Sequence, residues 1–124
     1  MARIRVAFDI RSSVENQTYT VFGVQDGNAI SFQDPNGETH RLTMTSKDLS
    51  YQKQGDATMD FTFDPTTATS GTYKTAGQTF HFTIRTLQYR YEEGRIRLNY
   101  QLYQQQDRIG HTILSVDYQP AKEE

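Results

Sequence analysis

Apolar and polar residues alternate with a period of two along most of this chain. Ile4, Val6, Phe8 and Ile10 are interleaved with Arg3, Arg5, Asp9 and Arg11, as a strand with one buried face requires. The same rhythm returns at His40, Leu42 and Met44, at Met59, Phe61 and Phe63, and at Ile96, Leu98, Tyr100 and Leu102. Less regular runs are read as strands over Thr18 to Val24, Ala29 to Phe32, Leu49 to Lys53 and Leu114 to Tyr118. In Thr18 to Val24 the phase is blurred, because Tyr19, Val21, Phe22 and Val24 occupy both faces. The longest ordered stretch, Ser70 to Tyr91, reads as a hairpin: Tyr73 and Thr75 on a short arm, a turn at Ala76-Gly77, then Phe80, Phe82 and Ile84 on a long arm. The apolar phase of that arm then moves to odd positions, Leu87, Tyr89 and Tyr91. One extra residue near Thr86 has this effect, so a β-bulge is predicted there.

Turn signals separate the runs at Asp26-Gly27, Asp34-Pro35-Asn36-Gly37, Gly55-Asp56, Glu92-Glu93-Gly94 and Asp107 to Gly110, with a loop over Asp64 to Ser70. Thr45 to Asp48 is read as a turn, with a single capped helical turn as the second choice. No segment has helical periodicity. Eight to ten short strands joined by tight turns form an antiparallel meander, and closure into a barrel hides its edges. The predicted class is therefore all-β, a closed antiparallel barrel over residues 1–118, with residues 119–124 as a flexible tail.

At 124 residues the chain is long enough for one core without metal or disulfide support. The mean hydropathy of -0.78 alone would suit a disordered chain. Against that, 12% of residues are Phe or Tyr, regularly spaced, and the net charge is only -2. The near-neutral balance predicts no overall attraction to nucleic acid or anionic membrane. Cysteine is absent, which excludes disulfides, thiolate metal sites and cysteine nucleophiles. The N-terminus is charged and alternating from the start and no apolar run is long enough to span a bilayer, so the expected location is cytoplasmic with no membrane partner.

Lys53-Gln54-Gly55, Met59 to Phe63, Gly71-Thr72-Tyr73-Lys74-Thr75-Ala76-Gly77, Thr86 and Gly94 to Tyr100 together resemble the YwiB-like family of small uncharacterised bacterial proteins. The resemblance runs from about the first strand to Tyr118. It implies a calycin-type, lipocalin-like β-barrel and no established activity. Lys53 stands where the family pattern has an arginine, so a two-pronged guanidinium contact is not available at that position.

Following the alternation inward brings polar residues into the core phase: His40, Tyr51, Lys53, Tyr73, Thr75, Thr86 and Tyr100. Polar groups inside a barrel need partners or a ligand. The functional reading is a small cavity that takes the head group of an anionic or amphiphilic small molecule, with Lys53 as its cation. The plainer reading lets Lys53 reach water beside Gly55 while the tyrosines bond to backbone. A second candidate lies outside: Arg85, Arg90, Arg95 and Arg97 with Tyr89, Tyr91 and Tyr103 could bind single-stranded nucleic acid or a protein. Its plainer reading is a solvated face that also discourages edge pairing. His40, His81 and His111 lie in different strands without metal-ligand spacing, and no acid-base pair, serine motif or phosphate loop appears. No catalytic residue, metal or cofactor is predicted.

Overall fold

The computed structural model describes residues 1–121. Ten strands follow one another: β1 (Ala2–Ser12), β2 (Asn16–Asp26), β3 (Ala29–Gln33), β4 (Thr39–Met44), β5 (Leu49–Gln54), β6 (Thr58–Phe63), β7 (Thr69–Thr75), β8 (Gln78–Glu92), β9 (Arg95–Gln104) and β10 (Asp107–Pro120). Each pairs antiparallel with the next, and β1 also pairs with β10, from Ile4 opposite Pro120 to Ser12 opposite Thr112. The meander is thus a closed barrel, the all-β class expected from the alternation, and no strand is left with an unpaired edge. A meander of ten strands places five hairpin turns at one end of the barrel, and four turns with both chain ends at the other. These are called here the five-turn and the four-turn end.

The inward positions are the ones the period of two selects. Ile4, Val6, Leu42, Leu49, Phe63, Ile84, Ile96, Leu114 and Val116 are shut off from solvent, and Phe8, Phe61 and Leu98 nearly so. Each contributes on the order of 1.5–3 kcal/mol by leaving water. Phe82 is only partly buried and packs against this core from its rim. Gly71 sits among these side chains because a Cβ there would meet Phe61 Cδ1 at 2.5 Å and Ile84 Cδ1 at 2.8 Å. Ala76 and Gly77 both have positive φ, 50° and 76°, as a two-residue hairpin turn of this hand requires.

The predicted bulge is present: Thr86 pairs with Tyr100 and Gln88 with Asn99, which leaves Leu87 unpaired. Leu87 is itself the extra residue and points outward, 46% exposed, rather than joining Tyr89 and Tyr91 in the inward phase. The blurred phase of β2 resolves as Tyr19 and Val21 inward and Phe22 and Val24 outward, 56% and 38% exposed. Arg3 covers Phe22, its guanidinium carbon 4.3 Å from the ring centre.

Two boundaries differ from the sequence reading. The last hairpin turns at Gln105-Gln106, not over Asp107 to Gly110, where the register instead shifts between Arg108 and Gly110. An isolated glycine within a strand marks such an irregularity, and Gln105 takes the left-handed φ of 58° without a glycine to advertise it. β10 also continues past Tyr118, with Gln119 opposite Arg5 and Pro120 opposite Ile4, and the Ala121 N–H donates to the Arg3 carbonyl at 3.0 Å. The rest of the expected tail, residues 122–124, lies outside the described residues. Thr45 to Asp48 is a turn closed by its own side chain, with the Lys47 and Asp48 N–H groups donating to Thr45 Oγ1 at 3.1 and 2.9 Å.

Candidate functional site

The five-turn end carries a buried chain of polar side chains that starts in a turn. Asp34 opens the β3–β4 connection, and its Oδ1 accepts from the N–H groups of Asn36 and Glu38 at 2.9 and 3.1 Å, which fixes the turn and the carboxylate together. Its Oδ2 lies 2.8 Å from His40 Nε2, and His40 Nδ1 lies 2.7 Å from the Tyr51 hydroxyl. The Asp34 and His40 side chains are each only 3% exposed.

Charge states follow from these contacts. Burial works to raise the Asp34 pKa, but the bonds from His40, Glu38 and Asn36 together hold it below the usual carboxylate value. Burial pushes the His40 pKa down; the Asp34 bond opposes it and Lys53 assists it. A neutral imidazole beside a carboxylate donates through Nε2, so its Nδ1 is the acceptor and the Tyr51 hydroxyl donates to it. Burial, with Tyr19, Tyr100, Glu15 and Asp34 adding to it, raises the Tyr51 pKa well above a free phenol, which keeps that proton in place. Aromatic packing holds the imidazole, stacked 4.8 Å from the Phe32 ring and 5.5 Å edge-on from Phe8.

Among the described residues, two buried hydroxyls, Tyr19 Oη and Thr86 Oγ1, have no hydrogen-bond partner. Tyr19 stacks on Phe8 at 4.9 Å, and burial, then Asp34, Glu15 and Glu38, raise its pKa. Thr86 lies opposite Tyr100 across β8 and β9, and Tyr100 lies opposite Thr112 across β9 and β10. Burial pushes the Tyr100 pKa up to about 12, with the Thr112 hydroxyl acting in the other direction.

Of the inward polar residues expected from the alternation, His40, Tyr51, Thr86 and Tyr100 are buried, and Lys53, Tyr73 and Thr75 are half-buried near the five-turn end. Lys53 is not a free cation for a head group. Its Nζ lies 3.5 Å from the Glu38 carboxylate, both side chains about a quarter exposed. Gly55 makes room for that contact, since a Cβ there would meet Glu38 Cγ at 2.7 Å. The alternation alone missed Asp34, which reads as a turn residue, and Tyr19, whose phase is hidden by its neighbours Phe22 and Val24. Asp34 was detectable only through its place six residues before an inward histidine.

The second candidate face divides in two. Arg85, Arg90 and Arg95 are exposed, while Arg97 forms a fork onto Asp117 at 2.7 and 3.3 Å. Tyr89 and Tyr91, past the bulge, turn inward: the Tyr89 hydroxyl donates to the Thr45 carbonyl at 2.7 Å and that of Tyr91 lies 3.0 Å from the Tyr118 hydroxyl. Tyr103 faces outward but donates to Gln101 Oε1 at 2.8 Å. Eight of the nine arginines lie on four contiguous strands: Arg3, Arg5 and Arg11 on β1, Arg85 and Arg90 on β8, Arg95 and Arg97 on β9, and Arg108 on β10.

A family model described as "Domain of unknown function (DUF1934)" matches residues 8–116. The chain belongs to this family. The matched span runs from Phe8 to Val116 and takes in the whole of the buried chain at the five-turn end. The crystal structure of the ywiB protein from Bacillus subtilis is similar to this DUF1934 barrel, with a TM-score of 0.65 and 13% identity over 97% of this chain and 91% of that one. At that identity the likeness is one of fold, and it is the YwiB-like, calycin-type barrel that the sequence motifs imply. No curated protein matches the chain.

Proposed function

We propose that this barrel is a non-catalytic binding protein that takes a small amphiphilic molecule at its five-turn end. The observation that carries this reading is the pair of buried, unpartnered hydroxyls of Tyr19 and Thr86. A buried donor without an acceptor costs about 1–3 kcal/mol, and a ligand acceptor removes that cost. The His40–Tyr51 chain is satisfied within itself, so it shapes the wall and leaves the two hydroxyls as the free groups. Glu15, Asp34 and Glu38 all act to raise the Tyr19 pKa, and Lys53 is neutralised by Glu38, so a neutral polar group on an apolar body fits better than an anion.

Native mass spectrometry of the freshly purified full chain tests this. A species heavier than the bare chain by one small organic molecule is expected, and Tyr19→Phe with Thr86→Val should abolish it while raising the melting temperature of the ligand-free protein. The bare mass alone, or an added mass that survives both substitutions, overturns the reading.

A further inference from the structure

We infer that the outer wall formed by β8, β9, β10 and β1 binds single-stranded nucleic acid through its arginines. On these four strands eight arginines face four acids, Asp9, Glu92, Asp107 and Asp117, which leaves a formal charge of +4. Elsewhere among the described residues four cations face nine acids, a formal charge of -5. The small net charge of the chain therefore hides a molecule with one basic wall and an acidic remainder.

Neither edge protection nor solubility accounts for this wall. A closed barrel has no edge to guard. Solubility is served equally by lysine, yet Lys47, Lys53 and Lys74 all lie off these strands and every cation on the wall is an arginine. The guanidinium fork is the group that matches phosphate oxygens in pairs. Arg90 also stands directly opposite Arg97 across β8 and β9; Asp117 offsets the charge of Arg97 and leaves that of Arg90 open to an anion from outside. Asp117 engages Arg97 alone, and Arg5, Arg85, Arg90, Arg95 and Arg108 have no carboxylate within ion-pair distance among the described residues.

The wall also offers contacts to unpaired bases. Leu87 and Ile113, 46% and 49% exposed, lie on the same strands as the arginines. Guanidinium planes supply stacking in place of the inward tyrosines. No helix or long loop projects from this wall to enter a duplex groove, since β8 and β9 join through Glu93-Gly94 and β9 and β10 through Gln105-Gln106. Single strands are thus the polyanion it fits.

Fluorescence anisotropy of a labelled uridine oligonucleotide with the full chain tests the inference. With three or four phosphates neutralised, affinity should fall on the order of 20- to 50-fold between about 50 and 200 mM salt. Arg90→Gln with Arg95→Gln should weaken binding about tenfold and flatten the salt dependence, with an unchanged melting temperature. Arg41→Gln, on β4, should leave it unchanged. Absence of binding at about 50 mM salt, an equal loss from Arg41→Gln, or tighter binding to duplex RNA or to anionic vesicles than to the single strand each overturns the inference.

Discussion

His40 and Tyr51 face each other across β4 and β5, diagonal in register, and their side chains meet at 2.7 Å in the interior of the barrel. The contact has a direction. Asp34 accepts the hydrogen bond of the His40 Nε2–H, so the Tyr51 hydroxyl must donate to Nδ1. Tyr51→Phe therefore leaves a buried acceptor unmet. The expected loss is about 1–3 kcal/mol, or roughly 3–5 °C in melting temperature per kcal/mol for a domain of this size. Thermal denaturation followed by circular dichroism measures it, and an unchanged melting temperature would show that the bond contributes nothing.

The same chain makes stability sensitive to acid. His40 has a folded-state pKa below its ordinary 6.5, because burial disfavours the imidazolium. Below 6.5 the unfolded chain gains a proton that the folded one refuses, so its contribution is present above 6.5 and is lost as pH falls toward the folded pKa. Asp34, lowered from 3.8, adds a second loss only below that value. Urea midpoints taken above and below pH 6.5 should fall on the acid side. His40→Gln should flatten the fall below 6.5, with its loss of stability largest above 6.5 and shrinking on the acid side.

Gly71 is expected to tolerate no side chain. A Cβ there runs into Phe61 and Ile84, so Gly71→Ala should cost about 1–3 kcal/mol through overpacking. Ile84→Val, which removes the Ile84 Cδ1 that the new Cβ meets, should recover part of that loss when combined with it. Chemical denaturation of the two single variants and the double variant decides the matter. Additive losses would place the strain elsewhere.

Leu87 separates what a residue is from where it stands. Leu87→Ser, on the outer surface, should change stability by less than about 0.5 kcal/mol. Deleting Leu87 instead should leave a regular ladder in which Tyr89 and Tyr91 still face inward, because Thr86, Gln88 and Tyr89 then alternate in, out, in opposite Tyr100, Asn99 and Leu98. The deletion variant should therefore still fold cooperatively. Loss of a cooperative melting transition in that variant would contradict the account of β8.

Core and wall positions should differ just as sharply. Leu98→Ala removes a buried side chain and should cost about 2–5 kcal/mol. Arg85→Ala on the outside should stay within about 0.5 kcal/mol. Matched urea titrations of the two variants measure the contrast.

Alternation by itself determined that this chain is all-β, that its strands follow one another as a meander, and that β8 needs one extra residue near Thr86. Those features are local: the period of two is set by each strand's own pleat, and a shift of phase within a run is visible without any partner. It also placed His40, Tyr51, Thr86 and Tyr100 inside. Only the tertiary structure decided which of these are satisfied, because a hydrogen bond depends on what arrives from another strand. Asp34 reaches His40 from a turn, Glu38 takes up the charge of Lys53, and Tyr19 and Thr86 are left without partners. Closure decided the outer surface in the same way. The arginines of β1, Arg3, Arg5 and Arg11, join the five of β8, β9 and β10 on one wall only when β1 is paired with β10, a contact between the two ends of the chain that no local pattern encodes.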